Sequence, residues 1–79
     1  MSKPLLDGAS SVSDVIKKFC DSYGRNPTYE EFHDVCVQSG NTSDEIEEFV
    51  ELAKEAEIVV YDKKSHKLSN SHKWDNKSC

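Results

Sequence analysis

Six carboxylates fall between positions 44 and 55 of this chain: Asp44, Glu45, Glu47, Glu48, Glu51 and Glu55. Their spacings of three, four and seven gather most of them on one side of a helix. From Glu30 to Glu57 ten acids stand against one base, Lys54. This is a local net charge of −9, leaving +4 on the rest of a chain whose formal net charge is −5. Such a chain is an electrostatic dipole. Carboxylates can serve in proton transfer, but a general acid needs an apolar pocket to raise its pKa, and nothing in the sequence patterns one around these. There is also no Gly-rich phosphate loop and no Ser or Cys nucleophile with a paired base. The chain does not read as an enzyme.

Metal chemistry is a second possibility to weigh. His33 and Cys36 are three apart, Cys20 lies on a neighbouring helix, and His66, His72 and Cys79 follow. Structural zinc shows paired close spacings such as C-x2-C, and none is present. No metal and no cofactor are expected, and His33 reads as a packed or surface imidazole filling a gap between helices.

Electrostatic attraction remains. A charge run is commonly no more than a solvated helix face. Here, however, partners of opposite sign at i, i+4 are almost missing, and Glu47–Glu51 and Glu51–Glu55 are like-charged pairs, each costing a few tenths of a kcal/mol. A sequence shaped only by stability would intersperse lysines. Asp44, Glu47, Glu48 and Glu51 are therefore the residues expected to dock the basic surface of a protein partner. The positive pole is Lys63, Lys64, His66 and Lys67, then His72, Lys73 and Lys77. Those lysines either keep a hairpin edge from pairing or follow phosphates. The alternative is thus a DNA-binding regulator. It would use Asn41, Thr42 and Ser43 at a helix N-terminus, with Lys63, Lys64 and Lys67 on the hairpin.

The elements that must carry these residues follow from periodicity. Residues 1–10, with Pro4, Gly8 and a Leu5-Leu6 anchor, read as a leader. Val12, Val15, Ile16, Phe19, Cys20 and Tyr23 form one apolar stripe, so a first helix starts at Ser11 or Ser13 and ends at Gly24. Thr28 with Glu31, and Thr42 with Glu45, are capping boxes that open the second and third helices. Tyr29, Phe32, Val35 and Cys36 line one inner face, and Ile46, Phe49, Val50 and Ala53 the other. Ser39-Gly40-Asn41 turns the chain between them. After Glu57 the period changes to that of strands. Ile58–Tyr61 and His66–Ser69 pair across a turn at Asp62–Ser65, with Ile58, Val60 and Leu68 facing inward. Residues 70–79 read as a flexible polar tail with Trp74 its large apolar group.

Three helices followed by a hairpin is the element order of a winged helix-turn-helix, mainly α with a small β-hairpin, over residues 11–69. A plain three-helix bundle is the competing architecture. The segment Gly24-Arg25-Asn26-Pro27-Thr28-Tyr29-Glu30-Glu31-Phe32 resembles the DNA-binding N-domain of LexA-type repressors. There a G-x-x-P-T-x-x-E-I-like segment joins the first two helices. The resemblance spans residues 11–69 in element order and those nine in detail, and implies a helix-turn-helix with a wing. His33 stands where such proteins usually place a small residue, and the third helix offers only Lys54 as a cation. The self-cleaving domain of LexA is not in the sequence, so no protease activity is expected.

Size and composition agree with one small domain. Seventy-nine residues, 35% apolar and 32% charged, sit near the lower limit for a single core. No apolar stretch is long enough to span a bilayer, and the N-terminus lacks a signal pattern. Cys20 and Cys36 lie on apolar stripes as small hydrophobes and Cys79 ends the chain, an odd count unlike a secreted disulfide framework. An intracellular location is expected, cytoplasmic or associated with the nucleoid or nucleus, with no membrane partner.

Overall fold

The computed structural model describes residues 4–71. Three helices, α1 (Ala9–Tyr23), α2 (Tyr29–Gln38) and α3 (Ser43–Glu55), are followed by strands β1 (Val59–Asp62) and β2 (Lys67–Asn70). The strands pair antiparallel, Val59 opposite Asn70 and Asp62 opposite Lys67. The expectations for His72, Lys73, Trp74, Lys77 and Cys79 lie outside the described residues.

Both internal helices open as their sequences predict. Thr28 Oγ1 accepts from the Glu31 amide while Glu31 Oε1 accepts from the Thr28 amide. Thr42 and Glu45 repeat the exchange. The two helices also end alike. After α2, Gly40 (φ 111°) lets Asn41 N–H reach the Cys36 carbonyl at 3.0 Å, with Gly40 N–H on Val37 O. After α3, Ile58 N–H reaches Ala53 O at 2.9 Å and Glu57 N–H reaches Lys54 O. This is the same Schellman closure, but Glu57 (φ 59°) stands where glycine is usual.

α1 begins at Ala9, earlier than the serines expected to open it. The reason is Ser11, which acts from inside the first turn. Its Oγ accepts from the amides of Asp7 and Gly8 and donates to Gly8 O at 2.6 Å. At the other end Gly24 (φ 71°) closes α1 through its amide on Cys20 O. Tyr23, placed on the inner stripe by periodicity, is 66% exposed and lies against Phe19 with ring centroids 4.4 Å apart.

The core gathers Val12, Val15 and Ile16 from α1, Phe32 and Cys36 from α2, and Ile46, Val50 and Ala53 from α3, closed by Leu6, Ile58, Val59 and Leu68. α1 crosses α3, and the hairpin packs on α1 and α3. The inward face of the first strand differs from the alternation expected. Val59 is 3% exposed and Val60 53%. Ile58 is still part of the helix closure, so strand alternation starts one residue later and the faces flip. The loop is shifted likewise to residues 63–66, where Asp62 Oδ1 accepts from the Lys64 amide and His66 takes a left-handed φ of 57°.

A third, very short strand-like contact was not legible in the sequence. Tyr29 N–H donates to His66 O at 2.7 Å and Leu68 N–H to Pro27 O at 2.9 Å, forming a bridge between Thr28 and Lys67. It places the entry to α2 on the edge of β2 opposite β1. Asn70 Nδ2 donates to Ser13 O at 3.4 Å and links the end of the hairpin to α1. Cys20 is not the free small hydrophobe expected: it is buried and disulfide-bonded. Cys36 is free and buried, and burial pushes its thiol up to about 11. Among the described residues, no helix is long and apolar enough to cross a membrane.

Candidate functional site on the α3 face

The four carboxylates singled out in the sequence share one surface. Ile46, Val50 and Ala53 turn one side of α3 into the core, which leaves Asp44, Glu47, Glu48, Glu51 and Glu55 exposed on the other. The single base on this helix, Lys54, is held by Glu51 at 2.8 Å. Its ammonium also lies 5.6 Å from the centroid of the Tyr61 ring. Among the described residues, Glu47 and Glu48 take part in no ion pair.

The residues offered for nucleic acid are arranged less favourably. Asn41 is only 4% exposed, and its carboxamide is engaged with the backbone of Leu6. It is a structural link, contrary to the role expected of it at the surface. Thr42 and Ser43 are exposed, but the amide and hydroxyl of Thr42 both donate to Glu45 Oε1, at 3.0 and 3.3 Å. A carboxylate already sits at the helix amino end where a phosphate would bind. Ser43 Oγ is 3.1 Å from His33 Nε2, so His33 bridges α2 to the start of α3. Lys63 and Lys64 are exposed at the hairpin tip, while Lys67 is half-buried on β2.

Aromatic residues complete the surface in a way the sequence did not suggest. The Tyr29 and Tyr61 rings meet edge to face, 6.2 Å apart at 83°. Tyr29 also stacks near His33 at 6.4 Å. Tyr61 Oη is 2.7 Å from His66 Nδ1. The bridge between Thr28 and Lys67 is what brings these together, because it sets the start of α2 against the hairpin. Periodicity places Tyr29 on the inner face of the second helix and Tyr61 on a strand; Tyr61 does lie in β1, and both side chains are half-buried. The one available signal was their position at element ends, where a ring shows one face to the core and its hydroxyl to water.

The two tyrosines, Val50, Glu47, Glu51 and Lys54 line an open pocket of about 330 Å³. Burial raises the Tyr29 phenol above its ordinary pKa, and the nearby Glu47 and Glu51 charges add to the effect. The site thus combines negative potential with aromatic surface. No group of three or more His, Cys, Asp or Glu among the described residues is arranged to hold a metal. Comparison with known proteins returns no matching family model, curated protein or solved structure.

Proposed function

We propose that this chain is a non-catalytic winged-helix regulatory module whose α2/α3 face docks the basic surface of a protein partner. A complex of transcription or other nucleic-acid handling suits such a partner, since surfaces that hold nucleic acid are basic. Inhibition by charge mimicry is one form this docking takes. The observation that carries the reading is the exposed row of Asp44, Glu47, Glu48, Glu51 and Glu55, opposed on α3 by Lys54 alone. Like charges kept together at some cost to the helix favour a partner of opposite sign.

The winged-helix assignment is supported by the order of three helices and a hairpin and by the isolated bridge from Thr28 to Lys67, which ties the chain before the second helix to the hairpin. A DNA-reading role through Thr42, Ser43, Lys63, Lys64 and Lys67 is the lesser reading. Its helix amino end is already capped by Glu45, and Asn41 is withdrawn into the interior.

The test is to compare wild type with the double variant Glu47→Lys/Glu51→Lys for binding to a defined basic peptide and to random duplex DNA. Loss of the peptide by the folded double variant supports docking. Retention of the peptide at unchanged affinity contradicts it.

A further inference from the structure

We infer that the pocket between Tyr29 and Tyr61 receives a single arginine side chain from the basic partner. This rests on the docking reading above and narrows it to one side-chain chemistry. Three observations combine. The pocket is open and offers aromatic surface, with the two rings edge to face at 6.2 Å. Its rim holds the carboxylates of Glu47 and Glu51. A cation of the chain itself already uses this chemistry, for Lys54 Nζ sits 5.6 Å from the Tyr61 centroid and 2.8 Å from Glu51 Oε1.

Lys54 satisfies Glu51 but leaves Glu47 without an ion-pair partner among the described residues. The pocket therefore retains one unneutralised carboxylate beside aromatic surface. A guanidinium suits that pair better than an ammonium. It is planar, stacks on a ring, and presents a fork of N–H donors to one carboxylate, whereas an ammonium is compact and strongly hydrated. Glu48 and Asp44 lie outside the pocket lining and contribute only to the long-range field.

The decisive experiment titrates the whole chain with two short peptides of equal length and charge, one of arginine and one of lysine, at low salt. The arginine peptide is expected to bind about fivefold tighter or more, the scale of a partly desolvated cation–aromatic contact. Tyr29→Leu and Tyr61→Leu should reduce arginine binding to the lysine level. Tyr61→Phe keeps the ring and should keep the preference, which separates loss of the pocket from loss of the fold. Equal affinities for the two peptides, with binding lost only in Glu47→Gln and Glu51→Gln, would overturn the arginine pocket while leaving docking by charge intact. Failure of both peptides to bind would overturn the docking reading and the inference with it.

Discussion

The side chain of Asn41 holds the backbone of Leu6 at both ends: Leu6 N–H donates to Asn41 Oδ1 and Asn41 Nδ2 donates to Leu6 O, each at 3.1 Å. The two residues are 35 positions apart, and the pair fastens the segment before α1 into the turn between α2 and α3. Leu6 itself is in the core. Replacing Asn41 by Ala strands a buried amide and a buried carbonyl at once. The variant should lose about 2 kcal/mol of stability, read from the midpoint of a urea transition at unchanged slope. Leu6→Ala should lose a comparable amount or more, about 2–5 kcal/mol. An Asn41→Ala midpoint equal to wild type would show that the pair is not holding the turn.

Acid should weaken the entry to α2. Arg25 Nη1 and Nη2 donate to the two carboxylate oxygens of Glu31 at 2.7 and 2.6 Å. With the Thr28 amide this holds the Glu31 carboxyl near 2, against an ordinary 4.5, and the Arg25 guanidinium is raised in turn. A lowered folded-state pKa means that the carboxylate is favoured by folding. Its contribution is complete above about 4.5 and is lost as pH falls toward about 2. Glu31→Gln should therefore be less stable than wild type at neutral pH and should converge with it on acidification. A constant difference between the two across that range would contradict this assignment.

The Cys36 thiol should be silent in the native protein. It is fully enclosed, and burial disfavours its thiolate, which is the reactive form. Alkylation at mildly alkaline pH, followed by peptide mass analysis, should leave Cys36 unmodified in buffer and label it in denaturant. Rapid labelling in buffer would mean that the interface of α2 with the core opens readily.

Charge on α3 should work against stability. Glu48 is exposed, three residues from Glu51 and four from Asp44, with no opposing base at those positions. Glu48→Lys should raise stability by a few tenths of a kcal/mol, and added salt should stabilise wild type more than the variant. Both effects are measurable as shifts of the thermal midpoint. A destabilised Glu48→Lys that remains folded would show that Glu48 has a structural role not seen on this face.

Local patterns made much of this architecture readable. The two capping boxes need only a Thr and a Glu three residues apart, and both form. The apolar stripes of the helices and the change of period after Glu57 located five elements in order. What escaped was set by contacts distant in sequence or by exceptions to local rules. Glu57 ends α3 in a left-handed conformation without a glycine to announce it, and so the strand face slipped by one residue. The pairings of Asn41 with Leu6, of Thr28 with Lys67 and of Tyr29 with Tyr61 depend on how finished elements pack. The acidic row was visible from the outset. Its aromatic half was not, because half-buried tyrosines follow the same periodicity as core residues.

An α3 face that docks protein cations should repel nucleic acid. Titrating the chain with random duplex DNA at low and then moderate salt tests this most directly. No saturable binding tighter than about 100 μM, the weak end of non-specific DNA affinity, is expected at either salt. Micromolar or tighter affinity that falls steeply with salt would contradict it and return Lys63, Lys64 and Lys67 to the centre of the site.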